Sequence, residues 1–172
     1  MIKFLKVNIN RKEKKYKNLQ FLEEIYYLYQ KHYRYLNDDY ATFESILDEV
    51  INIIEQATPF FWVILSDEIF AGFVFLENLI GNKNKLHSAQ ITTAFKQEYW
   101  GDFTKKSAKK FIRYCFKKLN LKKLKAIVFK ENLKTTKILK TAGFKLEAEL
   151  KAETLKNGKL QDIKVYSITK KR

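Results

Sequence analysis

At Pro59, the only proline in the chain, the hydrophobic period changes, and this change limits the folds open to it. Before it, Leu22, Ile25, Tyr26, Tyr29, Tyr33 and Leu36 recur three and four residues apart, which predicts a helix from Leu19 to Leu36. Phe43, Ile46, Leu47, Val50, Ile51 and Ile54 repeat the pattern in a second helix, with Asn37-Asp38-Asp39 breaking the first and capping the second. After Pro59 the apolar residues run continuously instead. Phe60 to Leu65 and Ile69 to Leu76 read as two largely buried strands joined by a tight turn at Ser66-Asp67-Glu68. Helices that bury one stripe, followed by strands that bury both faces, describe a mixed α/β (α+β) class with helices laid on a sheet.

The flanking segments extend this order. Ile2 to Val7 alternates loosely as a first strand, and Lys12, Lys14, Lys15 and Lys17 read as a solvated loop. Gly81 to Lys85 is a loop, and Leu86 to Phe95 is a strand with polar Ser88, Gln90, Thr92 and Thr93. That strand runs into Tyr99-Trp100-Gly101-Asp102-Phe103-Thr104. From Lys105 a helix buries Ala108, Phe111, Ile112, Cys115, Phe116 and Leu119. Leu124 to Phe129 is a strand, Leu133 to Thr141 a short helix, and Gly143 its left-handed cap. Phe144 to Ala152 and Ile163 to Ile168 close the chain, joined through a hairpin-type turn at Lys156-Asn157-Gly158-Lys159. A sharp strand-to-helix turn such as Tyr99–Thr104 is where phosphate binds, because unpaired helix N–H groups and the dipole both favour an anion.

At 172 residues, 46% of them hydrophobic, the chain fits a single domain spanning residues 1–172. The longest apolar run, Phe60 to Leu65, is far short of the roughly 20 residues of a membrane span, and the charged first fifteen residues lack the apolar core of a leader. These features predict a cytoplasmic protein without membrane contact. Cys115 is the one cysteine, which predicts packing rather than a disulfide, nucleophile or metal site. The net charge of +15 points to a polyanionic partner. Of 34 basic residues, however, only Arg11, Arg34, Arg113 and Arg172 are arginine, the residue suited to bidentate phosphate or base recognition. This argues against nucleic-acid binding as the main role. Lysine excess alongside abundant Ile, Asn, Phe and Tyr reads partly as coding bias. An acidic protein, a larger assembly or an oligomer fits the charge and the tyrosine-rich helices.

Three segments keep a common register. Ala89 to Ala108 contains Ala89-Gln90-Ile91 and Tyr99-Trp100-Gly101; Asn132-Leu133-Lys134-Thr135 is followed by Gly143-Phe144; and Asp162-Ile163-Lys164-Val165-Tyr166 closes the last hairpin. Together they resemble the GCN5-related N-acetyltransferase (GNAT) superfamily, in its ribosomal-protein-alanine acetyltransferase branch. The resemblance implies a mixed, mostly antiparallel sheet of about seven strands flanked by four helices, with a V-shaped split between strands 4 and 5. It implies acetyl-CoA as cosubstrate and a primary amine, on a protein N-terminus or a small molecule, as acceptor. Backbone groups around Ile91, Thr93 and Phe95 would pair with the pantetheine arm. Gly101, Asp102, Phe103, Thr104, Lys105 and Lys106 would hold the pyrophosphate, with Asn132 and Thr135 alongside.

The sequence departs from the family pattern at four places. Phe103 replaces a glycine, Lys105 a small residue, Gln90 the strand glutamate that serves as base, and Leu139 the tyrosine that serves as acid. Glu98, Glu131 and Glu77 are the substitute bases within reach, while His87 reads as an ordinary strand-edge residue. Two readings follow. One is an acetyl-CoA-dependent N-acetyltransferase; the other is a catalytically inactive structural or binding protein on the same fold, within a larger assembly such as a phage particle. A third, in which the lysine surface binds a nucleic-acid backbone, ranks behind both.

Overall fold

The computed structural model describes residues 1–41, 43–82 and 85–170. Among them, β1 (Ile2–Lys6), β4 (Phe61–Ser66), β5 (Ile69–Asn82), β6 (Lys85–Phe95), β7 (Lys123–Phe129), β8 (Lys145–Lys156) and β9 (Lys159–Thr169) form a seven-stranded sheet in the order β1-β4-β5-β6-β7-β9-β8. A separate two-stranded sheet pairs β2 (Asn8–Asn10) with β3 (Lys15–Lys17). Four α-helices accompany them: α1 (Leu22–Leu36), α2 (Ile46–Ala57), α3 (Asp102–Lys117) and α4 (Leu133–Thr141). This is the mixed architecture that the sequence predicts, with one parallel pair, β6 and β7, in an otherwise antiparallel sheet.

The chain divides into two compact units. The first comprises residues 1–37, 41–76 and 93–100. Its β4–β5 hairpin turns at Asp67 (φ 47°) and Glu68 (φ 68°), the doubly left-handed geometry whose twist matches the flanking strands. Phe61, Phe73 and Phe75 stack with ring centroids 5.4–6.3 Å apart. Ile25, Leu28, Val50 and Ile54 from α1 and α2 complete this core. Each such buried side chain contributes about 1.5–3 kcal/mol relative to exposure. Gly72 is required by close approach, since a Cβ there would lie 2.3 Å from the Ala94 carbonyl oxygen.

Helix α2 is capped by Ser45, whose hydroxyl oxygen accepts from the Asp48 N–H at 3.1 Å, and Phe43 lies outside the helix and exposed. Asn37-Asp38-Asp39 therefore does not cap it, because the intervening residues place the first free N–H groups beyond its reach. Lys15–Lys17, predicted as loop, is strand β3, held by pairing with Asn8–Asn10 rather than by its own polar sequence.

The second unit comprises residues 38–40, 77–92 and 101–172. Strand β5 continues through Asn82 and β6 begins at Lys85, so Gly81, Asn82 and Lys85 of the predicted loop are strand, while Lys83 and Asn84 lie outside the described residues. Strands β8 and β9 meet at Asn157 (φ 50°) and Gly158 (φ 68°) and run longer than their apolar pattern suggests, because each strand satisfies the other's backbone groups. Asp38 and Asp39 do their work here. The Asp39 carboxylate accepts from the N–H groups of Asn157 and Gly158, both at 2.8 Å, and the Thr154 hydroxyl donates to Asp38 at 2.6 Å. A bulge interrupts β8, where Ala152 has φ 51° and donates its N–H to Asp162 at 3.1 Å. Lys130 and Lys151 also donate to the Asp162 carboxylate, which lies well below the usual carboxylate range, chiefly through the Ala152 N–H bond.

Candidate active site

Strands β6 and β7 pair in parallel only at Ser88, Ala89 and Gln90 against Lys123, Leu124 and Lys125, among the described residues. Beyond that point β7 continues to Phe129 on β9 alone, and Ile91 and Thr92 continue β6. Two parallel strands that stop pairing leave backbone groups for another partner. Beside this stretch, on β5, stands Glu77. Its carboxylate oxygen Oε1 accepts from the Gln90 side-chain amide at 3.0 Å and from the Thr92 hydroxyl at 2.7 Å. Asn78 donates in turn to the Gln90 carbonyl at 3.0 Å, which fixes the Gln90 amide with its NH₂ toward Glu77. Thus Gln90 holds a carboxylate next to it.

The turn into α3 is set by Gly101, whose φ of 102° and ψ of −123° suit glycine. Gly101, at the N-cap position, has no side chain with which to cap the helix, and a Cβ there would meet nothing within 4 Å. Phe103 lies inside α3 and is not among the left-handed residues, so the backbone demands glycine at 101 and not at 103. Asp102 pairs with Lys105 at 3.2 Å, while Lys106 is exposed and Thr104 is buried. Deeper along the helices, the Ser107 and Thr136 hydroxyls are buried without a hydrogen-bond partner. Asn132 caps α4, its side-chain oxygen accepting from the Thr135 N–H at 3.1 Å. Leu139 is buried on the same helix. A helix start whose backbone dipoles point outward beside Lys105 and Lys106 fits a phosphorylated cosubstrate.

In the first unit, Thr93 donates its hydroxyl to the Phe73 carbonyl at 2.8 Å. The Phe95 carbonyl oxygen receives two N–H groups, His32 Nε2 at 3.1 Å and Trp100 Nε1 at 3.2 Å. With both lone pairs engaged, Phe95 keeps no second acceptor position for a pantetheine amide. Burial pushes the His32 imidazole below its ordinary range, against the pull of the Phe95 carbonyl. His32 escapes a reading based on apolar spacing, although it follows Ile25 and Tyr29 on the same helical stripe. Glu98 sits in a short turn over residues 97–99 and Glu131 just before α4, both exposed. His87 is an exposed strand residue whose carbonyl accepts from the Lys122 N–H. Burial pushes the Cys115 thiol up to about 12, as befits packing. Among the described residues there is no metal-ligand cluster, and no helix is long and apolar enough to cross a membrane.

Residues 20–145 match the family model described as acetyltransferase (GNAT) domain. The uncharacterized N-acetyltransferase YoaA of Bacillus subtilis (strain 168) is 33% identical over 89 residues, which make up 51% of this chain and 50% of that protein. The chain thus spans about half the length of the curated relatives it matches. A mutant of the spermidine N-acetyltransferase SpeG from Vibrio cholerae superposes with a TM-score of 0.73 at 24% identity, covering 98% of this chain and 93% of that one. RimL, a ribosomal alpha-N-protein acetyltransferase in complex with coenzyme A, superposes with a TM-score of 0.74 at 14% identity, covering 98% and 93%. With most of its length matched by the family model, and with the sheet and helices of that fold, the chain belongs to the GNAT acetyltransferase family.

Proposed function

We propose that the protein is an N-acetyltransferase that moves an acetyl group from acetyl-CoA to a primary amine, both compact units serving one catalytic domain. Acetyl-CoA supplies an acetyl group already activated as a thioester. The observation that carries the reading is the Glu77–Gln90–Thr92 hydrogen-bond set beside the end of β6–β7 pairing. An ammonium is not a nucleophile, so the acceptor must lose a proton before attack. Glu77 is the carboxylate that takes it, oriented by Gln90 and Thr92. The start of α3 at Gly101, with Asp102, Phe103, Thr104, Lys105 and Lys106, directs backbone dipoles and charge at the pyrophosphate, and Ile91 offers its backbone to the pantetheine arm. Asn132 and Thr135 shape the α4 end of that site.

The inactive reading draws support from one observation: Leu139, buried and apolar, stands where the family places a proton-donating tyrosine. Calorimetric titration with acetyl-CoA and a discontinuous acetyl-transfer assay on polyamines and N-terminal peptides separate the two. The enzyme reading expects saturable binding and acetylated product. No heat at millimolar acetyl-CoA overturns it, and binding without product on any amine favours the inactive protein.

A further inference from the structure

The charge of this protein is concentrated in one stretch. Residues 105–145 carry 15 of the 34 basic residues and a single acidic one, Glu131, a net charge of +14. The other residues of the chain hold 19 basic and 18 acidic side chains, a net charge of +1. A coding bias toward lysine would spread evenly, and this does not. The stretch spans α3, β7 and α4, all in the second unit.

On α3, Lys105, Lys109, Arg113 and Lys117 form one exposed row at four-residue intervals, and Lys106 and Lys110 form a second beside it. Sixteen residues give that helix a length of about 24 Å. Helix α4, which packs against α3, adds exposed Lys134, Lys137 and Lys140. Asp102 is the one acidic residue on either helix. Like charges four apart on a helix repel, so these rows work against the helix that carries them. A local arrangement that costs stability, relieved at its start by the Asp102–Lys105 pair, marks a surface kept for a partner.

We propose that the exposed face of α3 and α4 docks the phosphate backbone of a double-helical nucleic acid, without reading its sequence. Protein–protein interfaces are depleted in lysine and built around apolar and aromatic side chains. Neither helix exposes an aromatic residue there, which also disfavours single strands, whose bases need stacking platforms. Lysine rows with almost no arginine suit sequence-independent contact with phosphates rather than recognition of base edges.

The test is fluorescence anisotropy of the full chain with labelled mixed-sequence RNA and DNA duplexes, and with poly-glutamate as the competing acidic chain, across a salt series. Binding to one or both duplexes is expected with Kd of about 1–100 µM near physiological salt and a log–log salt slope of about −4 to −8. The combined variant Lys109→Gln, Arg113→Gln and Lys117→Gln is expected to flatten the slope by about 2.7, and each single change by about 0.9. Lys12→Gln, Lys14→Gln and Lys31→Gln together are expected to leave it unchanged. If the triple helix variant does not fold, Lys109→Gln and Lys137→Gln as single variants decide the matter. Which duplex binds better identifies the source of the backbone. No binding at about 100 µM, a salt-independent signal, an unaltered slope in the helix variants, or equal or tighter binding of poly-glutamate each overturns the proposal.

Discussion

Gln90 and Thr92 both donate to Glu77, and on the proposed reading this carboxylate is the base, so its removal should separate chemistry from binding. Glu77→Gln keeps the size and most hydrogen bonds; kcat for acetyl transfer is expected to fall about 10²–10⁴-fold while acetyl-CoA affinity measured by calorimetry stays unchanged. A mutant with wild-type kcat would remove Glu77 from the proton path. His32 gives a pH prediction of defined sign. Burial depresses its folded value, so between that value and the ordinary ~6.5 the unfolded chain carries a proton that the folded chain refuses. Stability therefore falls as pH drops through this window and stays reduced below it. Chemical denaturation of His32→Gln, which keeps an N–H donor for the Phe95 carbonyl, should show a shallower loss over the same range.

Among the elements, α4 was readable to its ends, Leu133 to Thr141, because Asn132 and Gly143 are local signals that act within four residues of their targets. Gly101 was likewise legible as the glycine of the Tyr99–Thr104 turn, and it is the residue that takes the positive φ there. Phe103 was harder. The family pattern places a glycine at this position, whereas the helix begins early enough to put Phe103 in ordinary right-handed backbone. The pairing of Glu77 with Gln90 depends on the register between two strands, which no local pattern carries. The role of Asp39 was out of reach for the same reason, its partners Asn157 and Gly158 lying 118 and 119 positions away. Asp39→Ala should cost about 0.5–1.5 kcal/mol in denaturant unfolding. Hydrogen exchange at the Asn157 and Gly158 amides should accelerate with it, while that of α4 stays unchanged; unaltered exchange at the two amides would show that the carboxylate is not what holds them.

At the scale of the whole molecule, a sequence average concealed the arrangement of charge. Net charge and lysine count are the same whether the cations are scattered or gathered; a count along the chain shows that they are gathered, and the placement of α3 and α4 shows that they are exposed in rows. The bulge in β8 has a consequence of a different kind. The sheet ends at β1 and β8, and an end strand offers unpaired backbone groups to any other chain. β1 is short and carries Lys3 and Lys6, while β8 is long, yet it is bent at Ala152 and studded with Lys145, Glu147, Glu149, Lys151 and Glu153. A second strand laid along β8 would meet both the bend and these charges, so concentrated solutions should stay free of thioflavin-positive fibres. Asp162→Ala, which releases the Ala152 N–H and two lysines from their shared carboxylate, should shorten the lag before such fibres form on heating. An edge that resists self-pairing lets a sheet protein work at high concentration in a crowded compartment, independently of what it binds or catalyses.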